Sequence, residues 1–297
     1  MRVLVTGANG YVGRAVVAAL RDRGHEPIPM VRASGRVGEP GPVRVADLHD
    51  PGSLRNAVRD VGAVCHLAGR TRARESLADP LGYFRANTTG TLALLDAMES
   101  AGVRRIVFAS TGSVYGTPDR QPMTEDLPPA PPHPYAASKL AAELALESFT
   151  AITLRMLNIA GGSDPDPTRL LPRALTSAGC GTPLTVNGDG SAIRDYLHIA
   201  DAADAFAAAV DHLPAIERAV TYNIGSGVGS SVKDVVAAVE RVTGRPVPLE
   251  YRPAAPEPAV SISDPSRAIA DLGWSPRRSE LEELVRDAWT TQNGILR

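Results

Sequence analysis

Arg2-Val3-Leu4-Val5-Thr6-Gly7-Ala8-Asn9-Gly10-Tyr11-Val12-Gly13 opens a chain of 297 residues. Residues 2–6 are apolar and β-branched enough to predict a strand, and apolar residues at helical spacing over 13–23 predict a helix. Between them, the glycines at 7, 10 and 13 have separate tasks. The first permits a tight turn, the second lets backbone approach an anion, and the third lets helix pack closely on strand. Free N–H groups at the positive end of that helix would then suit a diphosphate. A strand before and a helix after make this signal more specific than a glycine-rich turn alone, and the absence of GK[ST] excludes a kinase-type phosphate loop. A purely structural turn is the competing reading.

The same alternation continues outward. Strands are expected over 26–31, 43–46, 63–68, 105–110 and 153–156, and helices over 53–59, 84–101 and 135–150. That pattern of βαβ units predicts an α/β fold, a Rossmann-type doubly wound parallel sheet. After about residue 158 the texture changes to Pro/Gly-punctuated segments with helices expected over 170–177, 200–211, 231–243 and 280–293, which suits a smaller C-terminal α/β substrate lobe. The expected division is 1–157 for the dinucleotide and 158–297 for the substrate, with strands free to cross back. Proline-rich stretches at 122–134 and 253–258 read as extended loops.

Bulk properties narrow the function. A formal net charge of -2 gives no basic field for nucleic acid or an anionic membrane. No apolar run reaches the ~20 residues of a membrane helix, and the first residues lead into the glycine turn rather than a cleavable signal, so a cytoplasmic enzyme is expected. Cys65 and Cys180 lack metal-ligand or disulfide spacing, and Cys65 lies in an apolar run that predicts core rather than nucleophile. No metal site is expected.

A second constellation carries chemistry. The strand over 105–110 delivers Ser110-Thr111-Gly112-Ser113-Val114-Tyr115-Gly116, and a helix after the proline loop opens Tyr135-Ala136-Ala137-Ser138-Lys139. Positions four apart share a helix face, so Lys139 can sit beneath the Tyr135 ring. A free phenol titrates near ~10, and a nearby ammonium together with an oxidised nicotinamide would favour phenolate, making Tyr135 a usable acid/base. An amphipathic helix with an exposed Tyr and Lys is the bland alternative.

The spacing GxxGxxG, the strand-borne STGSVYG and the YxxxK together resemble the extended short-chain dehydrogenases/reductases. That resemblance implies cofactor contacts from Gly7, Asn9, Gly10, Tyr11, Val12, Gly13, Ser110, Tyr135 and Lys139. It implies that Asp47 and Leu48 bracket the adenine, that Leu67-Ala68-Gly69 line the dinucleotide, and that Asn87 is the structural active-site asparagine; for Asp47 a helix cap is the other reading. Thr111 resembles the catalytic Ser/Thr. By the same analogy, Tyr135 takes a hydroxyl proton while hydride leaves the carbinol carbon for the nicotinamide, and Thr111 steadies the oxygen.

Downstream, Leu154-Arg155-Met156-Leu157-Asn158, Leu171-Pro172, Asn187-Gly188-Asp189-Gly190-Ser191 with Arg194-Asp195-Tyr196-Leu197-His198, Tyr222-Asn223-Ile224-Gly225, and Asp264 with Leu272-Gly273-Trp274 are similar to nucleotide-sugar epimerases and dehydratases. The resemblance implies that Asn158 and Arg194 hold a sugar-nucleotide diphosphate beside Thr111 and Tyr135; a surface ion pair is the alternative for Arg194-Asp195. His198 reads as packing. Three departures matter. The second arginine expected before Asp264 is absent, with only Arg252 near Pro253-Ala254-Ala255-Pro256-Glu257-Pro258. The segment between Asn158 and Pro172 is short. Gly112-Ser113 stand where a dehydratase would carry an Asp-Glu pair, which disfavours water elimination.

The expected activity is therefore 4-epimerisation of a nucleotide sugar, with an NADPH-dependent ketoreductase and a non-catalytic dinucleotide sensor as alternatives. The cofactor is NAD or NADP. The second strand ends Met30-Val31-Arg32, with no acidic residue for ribose hydroxyls, and Arg32 could pair with a 2′-phosphate, which leans toward NADP. A solvated arginine in a loop with Arg36 competes with that reading, and the epimerase reading leans toward NAD. The resemblance also implies a homodimer in which helices 84–101 and 135–150 pair across the interface.

Overall fold

The computed structural model describes residues 1–32, 42–254 and 257–295; Arg36, Ala255 and Pro256 lie outside the described residues. Its elements are β1 Arg2–Thr6, α1 Tyr11–Asp22, β2 Glu26–Val31, β3 Arg44–Val45, α2 Pro51–Ala57, β4 Ala63–His66, α3 Ala73–Ala78, α4 Pro80–Phe84, α5 Gly90–Ser100, β5 Arg105–Thr111, α6 Pro134–Ala145 and β6 Thr150–Met156. Beyond these come β7 Asn158–Ala160, α7 Leu170–Cys180, β8 Leu184–Asn187, β9 Ile193–His198, α8 Ile199–His212, β10 Val220–Ile224, β11 Gly229–Ser231, α9 Val232–Thr243, β12 Leu249–Arg252, β13 Val260–Ser261, α10 Ser266–Leu272 and α11 Leu281–Ile295.

Seven of these strands form one parallel sheet in the order β10-β6-β5-β4-β1-β2-β3. The chain runs outward from β1 to β3, then returns to the other side of β1 as β4, pairing Thr6 with His66. Such a reversal opens a crevice at the carboxyl ends of β1 and β4, where doubly wound folds bind their ligands. Both faces of the sheet are covered, so its strands read as nearly continuous apolar runs rather than alternating ones. One face packs Val3, Val5, Cys65, Val107 and Leu154 against α1 and α8; the other packs Leu4, Ile28, Ile106 and Phe108 against α2, α5 and α6. Cys65 is thus core, as expected.

The edge strand β10 and the layer helix α8 come from beyond residue 158, so a cut after residue 157 divides the sequence without dividing this core. Phe206, Val210 and Leu213 are fully buried against it, each contributing about 1.5–3 kcal/mol by removal from water. A separate cluster of Leu171, Leu175, Leu184, Val186, Val235, Val239 and Leu284 holds the C-terminal lobe together around β8 and β12.

Several expected boundaries shift. The helix expected over 84–101 is α4, a wide π-type turn Arg85–Thr89, and α5. Across this turn the Thr91 hydroxyl donates to the Asn87 carbonyl at 2.5 Å. The helix expected to reach 150 stops at Ala145, because Phe149 turns into the core and Thr150 already belongs to β6. The short β7, β9, β11 and β13, which no periodicity marks, form their own sheet. No helix among the described residues is long and apolar enough to cross a membrane.

Candidate active site

Gly7 adopts φ 68°, and a Cβ there would lie 2.8 Å from the Ala68 nitrogen. A Cβ on Gly13 would lie 2.1 Å from the Gly7 carbonyl oxygen, so strand, turn and α1 meet at distances only glycine allows. No side chain caps the first turn of α1, whose N-cap is Gly10. The uncapped N–H groups and the absence of side-chain bulk fit the diphosphate of a dinucleotide.

A cavity of about 310 Å³ lies over this turn, walled by Gly7, Asn9, Gly10, Arg32, Asp47, Leu48, Ala68 and Gly69. The structure thereby brings together the residues expected at the adenosine end. Arg32 is exposed at the rim. Asp47 is not the helix cap: Asp50 fills that role, accepting from the Gly52 N–H at 3.0 Å, while Asp47 accepts from His49.

A second cavity of about 360 Å³ is lined by Val12, Leu67, Ser110, Thr111, Tyr135, Lys139, Asn158, Arg169 and Tyr196. Leu67 faces this one and Ala68 the other, so the end of β4 is the wall between them. Thr111 ends β5, and Tyr135 is delivered by the first turn of α6, whose entry is fixed by Pro134 and by the His133 ring accepting from the Ala136 N–H at 3.1 Å.

A buried relay holds these parts in register. The Thr6 hydroxyl accepts from the Leu67 and Ala68 N–H groups, each at 3.1 Å, and so donates to His66 Nδ1 at 2.7 Å. His66 Nε2 then faces the Thr91 hydroxyl at 2.9 Å, and Thr91 donates to the Asn87 carbonyl. That chain assigns His66 as a neutral tautomer protonated on Nε2. Burial, with Lys139 nearby, pushes its pKa down to about 3. Asn87 completes the tie: its side chain accepts from the Arg70 N–H at 2.8 Å and donates to the Arg70 carbonyl and the Ser138 hydroxyl, each at 3.0 Å. Its side-chain amide is spent on protein, pinning the loop after β4 to α6 between Tyr135 and Lys139.

Tyr135 is buried, its ring stacked on His133 at 5.8 Å and edge-on to Tyr83 at 6.3 Å. Burial raises its pKa, while a hydrogen bond with Thr111 and the charge of Arg169 pull it down. The outcome is a phenol above its ordinary value. Arg169 thus adds a positive charge near Tyr135 that the YxxxK spacing did not reveal, while the Lys139 ammonium lies 4.5 Å from the centroid of the Phe108 ring. Burial lowers Lys139 to about 8, opposed by Glu143 one turn further along α6.

Ser110 lines the cavity, but its hydroxyl donates to Glu143, which also forms a buried ion pair with Arg155 at 2.6 Å. Tyr11 donates to the Gly161 carbonyl at 2.5 Å, joining the glycine turn to the loop after β7. Arg169 was not singled out from the sequence, since a lone arginine among prolines carries no signal. Position alone reveals it, held by Asp164 at 3.1 Å.

On the substrate side, Asn158 lines the catalytic cavity and donates to the Asp195 carbonyl at 3.0 Å. Arg194 stands further out, paired with Glu257 at 3.3 Å rather than with Asp195. Asp195 is buried and accepts from the backbone of Ser226, Gly227 and Ser263, organising three chain segments. The surface ion pair considered for Arg194-Asp195 is absent because adjacent strand residues point to opposite faces. His198 is buried and caps α8 through the Ala200 N–H, as packing predicts.

The description that matches this chain over residues 3–225 is the NAD dependent epimerase/dehydratase family. The chain belongs to that family. UDP-glucose 4-epimerase of Corynebacterium glutamicum is 36% identical over 99% of this chain and 97% of its own length. The Streptomyces lividans UDP-glucose 4-epimerase is 37% identical, over 97% and 95%. Among solved structures, UDP-glucose-4-epimerase from Stenotrophomonas maltophila, with bound NAD and formylated UDP-arabinopyranose, superimposes with a TM-score of 0.93 at 32% identity, covering 100% of this chain and 99% of that one. The resemblance drawn from the glycine turn and the YxxxK holds, and so does the doubly wound fold. As a member of the epimerase/dehydratase family, the protein is an enzyme of the extended short-chain dehydrogenase/reductase type that uses a nicotinamide dinucleotide.

Proposed function

We propose that the protein is a nucleotide-sugar 4-epimerase working on a UDP-hexose with a resident NAD. One observation carries the reading: a single cavity presents Thr111, Tyr135 and Asn158 together, directly beside a glycine cradle fitted to a dinucleotide. Gly7, Asn9, Gly10, Val12 and Gly13 would hold the diphosphate, Asp47, Leu48 and Arg32 the adenosine end, and Lys139 the ribose near the nicotinamide. When bound, NAD supplies a reversible acceptor for a carbinol hydrogen.

The protein's own part is proton transfer and positioning. Thr111 orients the reacting hydroxyl, and Tyr135 receives its proton and returns it. Burial holds the phenol above its ordinary pKa, and positive charge brought near it favours release of its proton. Gly112-Ser113 offer no carboxylate to expel water, which favours epimerisation over dehydration. The division of labour is 1–157 for the cofactor and 158–297 for the substrate, with β10 and α8 returning to the first lobe.

NAD rather than NADP is supported by the NAD-bound Stenotrophomonas neighbour; the lean toward NADP from Arg32 has no such support. Denaturing the purified protein should release NAD in near-stoichiometric amount, and the native protein should interconvert UDP-glucose and UDP-galactose without added cofactor. Release of NADP with stoichiometric consumption of a reductant would instead make it a ketoreductase.

A homodimer and cytoplasmic placement complete the proposal. Leu92 on α5 and Leu144 on α6 are 44% and 64% exposed on packed neighbouring helices. An apolar pair of that kind suits a second copy of the chain. Leu92→Asp with Leu144→Asp should convert the dimer to monomer in light scattering while the far-ultraviolet spectrum stays unchanged; a monomeric native protein would remove this element.

A further inference from the structure

Two guanidinium groups converge on one carboxylate beside residues that line the catalytic cavity. Glu257 Oε1 accepts from Arg74, and Oε2 from Arg194 at 3.3 Å. They arrive from opposite walls: Arg74 on α3, which belongs to the cofactor side, and Arg194 on β9, which belongs to the substrate side. Each adjoins the cavity lining. Ala73 and Tyr196 line it; Arg74 is the next residue after the first, and Arg194 lies two residues before the second, on the same face of its strand.

More positive charge gathers there. Arg173 on α7 follows the lining residue Pro172 and donates to the Thr185 carbonyl at 2.7 Å. Burial lowers its pKa, and Arg74 and Arg252 lower it further, so these three cations are close enough to repel. Glu257 sits below the usual carboxylate range because both arginines outweigh the burial that would raise it. One carboxylate thus stands between Arg74 and Arg194, with Arg173 adding to the excess, whereas Arg169 deeper in the cavity already has both Asp164 and Asp166. Two guanidinium groups that share a single carboxylate are suited to an anion.

We propose that Arg74 is the second phosphate-binding arginine of this site, acting across the cleft with Arg194 on the diphosphate of the substrate. This rests on the nucleotide-sugar reading above. The loop 253–258, which lacks an arginine, contributes Glu257 instead. That carboxylate holds both guanidinium groups together, and guanidinium forks are shaped to pair with phosphate oxygens as with carboxylates.

The test is calorimetric titration of NAD-loaded protein with UDP and with uridine. Arg74→Ala should weaken UDP binding on the order of ten-fold or more, the effect of a lost charged hydrogen bond, and leave uridine binding unchanged. Arg74→Lys, which keeps charge but not the fork, should fall between. Unchanged UDP affinity in Arg74→Ala, or equal losses for UDP and uridine, would overturn the assignment. A native protein that binds neither would instead bring down the nucleotide-sugar reading, and the clamp with it.

Discussion

Tyr135→Phe is expected to lower epimerase turnover by roughly 10²–10⁴-fold while leaving the protein folded and its dinucleotide bound. The phenyl ring would keep the stack on His133 and the edge contact with Tyr83. Only the hydroxyl shared with Thr111 disappears, and with it the group that exchanges the sugar proton. Loss should therefore fall on kcat with little change in KM, the pattern of an interaction made only in the transition state. The check is steady-state kinetics alongside the dinucleotide content of the denatured variant. Full turnover in the variant would remove Tyr135 from the mechanism.

Gly13→Ala is expected to abolish dinucleotide retention and to destabilise the fold. The added methyl would lie 2.1 Å from the Gly7 carbonyl oxygen and 2.9 Å from the Ala8 Cα. Both are backbone atoms that cannot swing aside, so α1 must move off the turn, at a cost of about 1–3 kcal/mol for overpacking. That displacement carries the α1 N–H groups away from the diphosphate. Gly24→Ala is the control. Gly24 has φ 77° but nothing within 4 Å of an added Cβ, so only left-handed strain of about 1–2 kcal/mol applies and the cofactor should stay bound. Comparing released dinucleotide and melting temperature in the two variants separates cradle geometry from general destabilisation. Equal cofactor retention in both would show that the turn does not seat the diphosphate.

Residues whose task is set by near neighbours in the chain were legible without coordinates. The glycine turn, its strand and its helix form one local unit. Tyr135 and Lys139 share a face because of helix periodicity alone, and Cys65 lies in the core because its whole strand is apolar. These readings carried the fold, the family resemblance and the candidate site residues, since spacing along the chain encodes them directly.

What tertiary structure decided is the electrostatics and the cross-chain pairing. Periodicity places Lys139 on the face of Tyr135, yet only packing shows that its ammonium also lies over the Phe108 ring and that Arg169, 34 positions after Tyr135, adds its charge near the phenol. Asn87 is marked by its place in a helix, but its work of tying Arg70 to Ser138 depends on a π-type turn that periodicity cannot anticipate. Arg74 and Glu257 lie 183 residues apart and meet only in the folded chain. A sequence specifies directly what repeats over one or two turns of backbone; a charge acts through space on whatever the fold brings near, and that is decided only when the chain is folded.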